Sequence, residues 1–147
     1  ELAKKYGWDE VINYSKEDFA KKVMEITNGE GVSVVYDGVG KSTFDKSIEC
    51  LKLRGTMVSF GNASGALDPI VVSKSLQPKG IYFVRPAMMQ YLVTREEIEE
   101  ASNMLFKQIS SGKIKIEIYK KYKLEEVIQA HKDLEGRKII GPAVIIP

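Results

Sequence analysis

Two short glycine-bearing stretches, each directly behind an apolar strand-like run, carry the strongest chemical signal in the chain. The first is Tyr36-Asp37-Gly38-Val39-Gly40 and the second is Phe60-Gly61-Asn62-Ala63-Ser64-Gly65. Glycine at such places permits positive φ or close approach of the main chain to a ligand. The Asn62 amide offers a donor and an acceptor suited to a ribose hydroxyl or a carboxamide. In open α/β sheets ligands sit beyond the carboxyl ends of the strands, where loops of adjacent units meet. At corresponding ends of consecutive strands the two loops point to a nucleotide surface. Taken singly, each reads more readily as a plain turn. Phe83-Val84-Arg85 falls in the same layer behind a third run.

Other reactive residue types are scarce. Cys50 is the single cysteine, which excludes an internal disulfide and a cysteine-rich metal site. Beside Leu51 in a periodic segment it reads as a buried structural thiol. His131, the single histidine, lies one turn beyond Val127 and reads as a packing residue, so no metal site is expected. Asp37 reads as a hydrogen-bonding partner of its glycine turn rather than an acid or base, and Arg85 as a brace for the loop before Pro86. No residue is assigned a catalytic role. The 22 basic residues are dispersed among 20 acidic ones for a net charge of +2, which argues against a nucleic-acid partner. No apolar run approaches the roughly 20 residues of a membrane span and no signal peptide opens the chain, so the expected location is cytoplasmic, without a membrane partner. With 147 residues and 44% hydrophobic content, an ordered core is expected.

Periodicity supplies the elements that hold these loops. Glu1–Gly7 reads as the end of a helix closed by a glycine. Strand signals follow at Asp9–Tyr14, Val32–Val39, Gly55–Gly61 and Gly80–Arg85, alternating with helix signals. The dense Val32-Ser33-Val34-Val35-Tyr36 run suits a strand covered on both faces. Ser15 to Asp18 resembles a capped helix start, with Phe19, Val23 and Ile26 as its buried stripe. Ser42 with Asp45 is a candidate cap for a helix bearing Phe44, Ile48 and Leu51. Residues 70 to 76 fit a short helix or an irregular segment. Thr94-Arg95-Glu96-Glu97 is a capping box opening a helix with Ile98, Ala101, Leu105 and Ile109 on its apolar face and Gly112 as its stop. A half-exposed strand is expected over Ile114–Tyr119, a helix over Leu124–Leu134 with Val127, Ala130 and Leu134 inward, and a last strand at Ala143–Ile146. The pattern is α/β, the later part of a doubly wound parallel sheet, with no glycine-rich phosphate loop at its start.

Several of these residues match a known family in order. Asp9-Glu10-Val11-Ile12-Asn13-Tyr14, Tyr36 to Gly40, Gly55 to Asn62, Arg85-Pro86 and Ala130-His131-Lys132-Asp133-Leu134-Glu135 closely resemble the quinone oxidoreductases of the zeta-crystallin type. These form the zinc-free branch of the medium-chain dehydrogenases, and the likeness covers essentially the whole chain. It implies a fragment of a two-domain enzyme, an incomplete Rossmann-type sheet followed by elements that return to a GroES-like domain. Residues 1–115 would be the distal part of the NADP-binding domain and 116–147 the segment associated with the catalytic domain.

By the same resemblance NADPH is the cofactor, a quinone or related small electrophile is the acceptor, and a homodimer forms through the strand at 81–84. Carried over by position, Tyr14 packs near the adenosine 2′-phosphate, and Gly38 with Val39 stands where relatives often have serine beside the cofactor. Phe60, Gly61 and Asn62 pass the nicotinamide-side ribose. The backbone of Phe83 and Val84 approaches the carboxamide, and Arg137 reaches back toward the cofactor. Ile140-Gly141-Pro142 departs from the family's Gly-Lys before the last strand, so that lysine contact is not expected. The cofactor would supply hydride chemistry while the fold orients it. The 147-residue chain alone is expected to be inactive and to bind NADPH weakly, because the pyrophosphate-holding helix N-terminus is missing. Two other readings stay open: a medium-chain enoyl or alkenal reductase fragment, and a noncatalytic structural or interaction protein of the same fold. The choice of NADPH over NADH and the electron count are not legible.

Overall fold

A computed structural model describes residues 2–147 and places them in two compact units, the first ending at Tyr91 and the second Leu92–Pro147. The first unit contains, in order, α1 (Leu2–Lys5), α2 (Phe19–Ile26), β1 (Val32–Asp37), α3 (Phe44–Cys50), β2 (Leu51–Ser59), α4 (Val72–Ser75), a single 3₁₀ turn at Gln77–Lys79, β3 (Tyr82–Val84) and α5 (Met88–Tyr91). Its sheet is parallel in the order β1-β2-β3, with Tyr36 opposite Val58 and Val58 opposite Val84. The fold class is therefore the α/β parallel type expected. The helix end expected over the first seven residues is seen from Leu2 onward, Glu1 lying outside the described residues.

Sequence chemistry sets the ends of these elements. Asp18 caps α2, its Oδ1 accepting the Ala20 and Lys21 amides at 3.0 and 3.2 Å. Asn28 and Gly29 close the helix with positive φ, and the Gly29 amide donates back to the Met24 carbonyl. The core gathers under the sheet around buried Phe44, Leu51, Met57 and Ile81, with the Phe44 and Phe83 rings edge to face at 6.1 Å. Lys79 sits at the carboxyl end of α3 and donates to the Glu49 and Leu51 carbonyls at 2.7 and 2.6 Å, groups a helix end leaves unsatisfied.

Several expectations fail here for identifiable reasons. Asp9–Tyr14 is not a strand: among the described residues no strand lies beside it, and Asn13 instead organises a turn with Ser15, Lys16 and Glu17. β1 is an edge strand that ends at Asp37, and Tyr36 is 73% exposed, so it is covered on one face only. β2 begins at Leu51 rather than Gly55. Its early residues bulge between the partners of Val32 and Val34, and Arg54 takes φ 59° inside that bulge. The cap position of α3 is Thr43, not Ser42, and its hydroxyl turns to Asp37 instead of capping its own helix. Val72–Ser75 settles the open segment as one helical turn.

The second unit holds α6 (Arg95–Ser110), β4 (Lys120–Lys123), a 3₁₀ turn at Leu124–Glu126, α7 (Val127–Glu135) and β5 (Ala143–Ile146). The capping box of α6 is present in both directions, with the Glu97 amide donating to Thr94 Oγ1 and the Thr94 amide to Glu97 Oε2. Residues Ile114–Tyr119 are irregular and exposed. The strand starts at Lys120, where Tyr122 is buried and pairs in parallel with Ile145. On α7 the inward position belongs to Asp133, while Leu134 is 60% exposed. The buried carboxylate is tolerated because Lys120 Nζ, the Tyr122 hydroxyl and Gln129 Nε2 donate to it at 3.0, 2.8 and 2.8 Å.

Candidate functional site

β1 and β2 run parallel and end side by side at Asp37 and Ser59. The chain that leaves each strand must therefore cross the same edge of the sheet. The two exits are stitched together by main-chain hydrogen bonds. The Phe60 amide donates to the Asp37 carbonyl at 2.9 Å, the Ala63 amide to Gly38 at 3.3 Å and the Ser64 amide to Val39 at 2.7 Å. Ser64 adds a side-chain bridge, accepting from the Ser42 amide at 2.9 Å and donating to the Val39 carbonyl at 2.8 Å.

Close approach explains two of the glycines. A Cβ on Gly61 would stand 2.7 Å from the Gly38 Cα and 2.8 Å from its carbonyl carbon, so the loops could not lie this near with any side chain there. A Cβ on Gly38 would meet the Phe60 ring at 2.9 Å. The ring lies over Gly38 in the space a serine would use, and 55% of Phe60 remains exposed.

Beneath the loops Asp37 is 5% exposed and fully engaged. Its Oδ1 accepts the Val39 and Gly40 amides at 2.8 and 2.9 Å, and its Oδ2 accepts the Thr43 and Ser47 hydroxyls at 2.8 and 2.9 Å. Burial pushes the carboxyl up. The hydrogen bonds from Gly40, Thr43, Ser47 and Val39 outweigh it and hold the group below the usual carboxylate range. Sequence reasoning placed Asp37 at the turn but missed Thr43 and Ser47. Their spacing of four, which shares one helix face, was the available signal.

The carboxyl end of the sheet thus gathers most of the residues expected at a cofactor surface. Gly38, Val39, Phe60, Gly61 and exposed Asn62 lie on the joined loops. Tyr14 flanks a groove with Gly38 and Val39, its ring edge-on to Phe19 at 6.3 Å. Val84 lines a second, wider groove with Tyr36, Phe60 and Tyr91. Arg85 braces its rim, Nη1 donating to the Ser59 carbonyl at 2.8 Å. The Phe83 side chain packs into the core instead, which leaves only its backbone for a ligand. Arg137 lies in the second unit, exposed and with φ 54° after α7.

The other reactive residue types are Cys50 and His131. Cys50 is 3% exposed, and burial first, then the Glu49 charge, pushes its thiol up to about 11. His131 is exposed on α7 beside an apolar groove formed with Tyr122, Leu134 and Val144. Among the described residues no three His, Cys, Asp or Glu side chains gather in a way that would hold a metal ion. Nor, among them, is any helix long and apolar enough to cross a membrane.

Comparison with known proteins gives consistent matches. The family model described as zinc-binding dehydrogenase matches residues 6–145. The 2-haloacrylate reductase of a Burkholderia species is 45% identical over 148 residues, all of this chain and 44% of that protein. Quinone oxidoreductase 1 of Escherichia coli K12 is 45% identical over 147 residues, 99% of this chain and 45% of that protein. The crystal structure of E. coli quinone oxidoreductase complexed with NADPH superposes with a TM-score of 0.92 at 45% identity, covering 99% of this chain and 45% of that one. The structure of a 2-haloacrylate reductase gives a TM-score of 0.87 at 43% identity, with 99% and 45% covered. The chain thus spans a little under half the length of the relatives it matches.

Proposed function

The chain belongs to the zinc-binding dehydrogenase family, and we propose that it is the NADPH-binding, carboxyl-terminal part of a reductase that passes reducing equivalents to a quinone. The observation that carries this reading is the pair of glycine loops closed onto each other at the carboxyl ends of two parallel strands, with Phe60 and Asn62 exposed above them. The groups present suit a nicotinamide dinucleotide. Gly38 and Gly61 let backbone reach the ligand, Asn62 offers an amide to ribose or carboxamide, and the Phe60 and Tyr36 rings supply apolar surface. Tyr14 stands at the far groove, suited to the adenosine end. When bound, the cofactor supplies the hydride. The chain orients it and keeps one face of the site apolar. No step is assigned to a metal, and no acid or base is assigned among these residues.

Residues 116–147 are taken to return to a catalytic domain, and Arg137, in that segment, is taken as a cofactor-binding residue. β3, one of the two edge strands of the described sheet, is taken as the one that pairs with its two-fold mate. A second reading, reduction of an electron-poor alkene, is favoured by the equal identity to a 2-haloacrylate reductase. The test is NADPH oxidation by the protein as its gene encodes it, with a benzoquinone and with 2-chloroacrylate as competing acceptors. Faster turnover of the quinone is expected; exclusive turnover of the acrylate would select the second reading, and neither would refute both. The 147-residue chain by itself is expected to show no turnover and NADPH binding weaker than millimolar, so tight binding by the isolated chain would contradict that part.

A further inference from the structure

Asp37 is bonded to both loops, and through different groups. Its side chain takes the two amides of the first loop and the two hydroxyls of α3, while its main-chain carbonyl takes the Phe60 and Gly61 amides of the second loop at 2.9 and 3.3 Å. A buried carboxylate is costly unless its lone pairs are met, and here four neutral donors meet them. Such an arrangement fixes orientation: Oδ1 sets the loop and Oδ2 sets the helix, so the loop cannot rise without leaving a charge unsolvated. The Val39 and Gly40 N–H groups point inward at Asp37, so they are not available to a phosphate. What this loop can offer outward is the close-packed Gly38 and Gly61 backbone and the ring of Phe60.

We propose that Asp37 is a positioning residue for cofactor binding, its side chain holding the 38–42 loop to the start of α3, and so against the 60–65 loop bonded to its main-chain carbonyl, in the arrangement that receives the ribose and nicotinamide end of the dinucleotide. This rests on the reading of these loops as an NADPH surface. The lock is in place before the cofactor arrives, and its effect falls on affinity rather than on the chemical step.

The test uses the protein as its gene encodes it, with Asp37→Ala and Asp37→Asn. NADPH affinity is read by fluorescence titration, kcat at saturating NADPH, and fold by circular dichroism. Asp37→Ala should weaken NADPH binding by about tenfold or more through loop misplacement, with kcat at saturation held within about threefold. Asp37→Asn should recover most of the affinity, because its amide oxygen can accept both loop N–H groups and its NH₂ can donate to Thr43 and Ser47. A folded Asp37→Ala protein that binds NADPH as tightly as the wild type, or that loses kcat alone, overturns the proposal. Should the alanine variant not fold, amide hydrogen exchange on the wild type decides. Val39, Gly40 and Phe60 protected without NADPH support the lock; free exchange that slows only when NADPH is added overturns it. Wild-type protein that binds no NADPH would overturn the cofactor reading itself, a result separable from failure of the lock alone.

Discussion

Gly61→Ala should be among the most damaging single-methyl additions in this fold, and its cost can be worked from the geometry. The φ of Gly61 lies outside the left-handed region, so alanine can adopt the backbone and the penalty is steric. The new methyl would sit 2.7 Å from the Gly38 Cα and 2.8 Å from its carbonyl carbon, against an ordinary separation of about 3.5 Å or more. Both obstacles are main chain, so relief requires the two loops to part. Parting stretches the Gly61-to-Asp37 and Ala63-to-Gly38 hydrogen bonds, each already 3.3 Å. Overpacking at about 1–3 kcal/mol and weakened hydrogen bonds at about 1 kcal/mol each are offset by about 0.4–1 kcal/mol from a stiffer unfolded chain. The net is a loss of about 2–4.5 kcal/mol, a fall in urea midpoint of about 1–2 M at a slope of about 2 kcal/mol/M. Gly38→Ala is the control. Its methyl meets only the end of the Phe60 ring, which is half exposed and free to swing, so the loss should stay below about 1 kcal/mol. That variant should instead weaken NADPH binding by displacing Phe60. Equal urea midpoints for the two variants would refute the claim that the loops are held in backbone contact.

Lys79→Met keeps the aliphatic stem and removes the ammonium from the Glu49 and Leu51 carbonyls, so a loss of about 1–2 kcal/mol in urea unfolding is expected. Cys50, buried and with its thiol pushed up to about 11, should react with a thiol reagent at mild alkaline pH only as fast as the first unit opens. Labelling in native buffer at the rate seen in denaturant would show that unit to be loose. Asp133 is held well below the usual carboxylate range, first by the hydrogen bond from Lys120, then by those from Tyr122 and Gln129, against burial. Its contribution is present in full above the unfolded value of about 3.9 and is lost as pH falls through the depressed folded value. Asp133→Asn should flatten that acid limb in urea midpoints taken across pH, and parallel curves would refute the assignment.

What could be read from the sequence, and what could not, divides along a physical line. The α6 cap at Thr94, a capped start of α2 somewhere in Ser15–Asp18 and the cores of β1, β2, β3 and β5 were legible because they depend on neighbours a few residues away. Asp9–Tyr14 and Ile114–Tyr119 misled for one shared reason. An apolar run states only that a segment would form a strand if a partner lay alongside, and pairing is a long-range fact. Asp133 taking the buried place on α7 was hidden for a related reason, since its donors Lys120 and Tyr122 come from another element.

The same distinction bears on the site. Glycines at the ends of strands announce that a loop must be small there, and the sequence shows that much. Why Gly38 and Gly61 must be small differs: Gly61 because a carbonyl of the other loop occupies the place, Gly38 because an aromatic ring does. The first makes the two loops one object; the second puts an exposed ring where a hydroxyl would otherwise stand. A ligand at this surface therefore meets preformed backbone and an aromatic face, with its polar specificity left to Asn62 and the few carbonyls the loops do not consume. On the proposed reading, geometry of that kind favours the flat nicotinamide and ribose end of a dinucleotide over its phosphates.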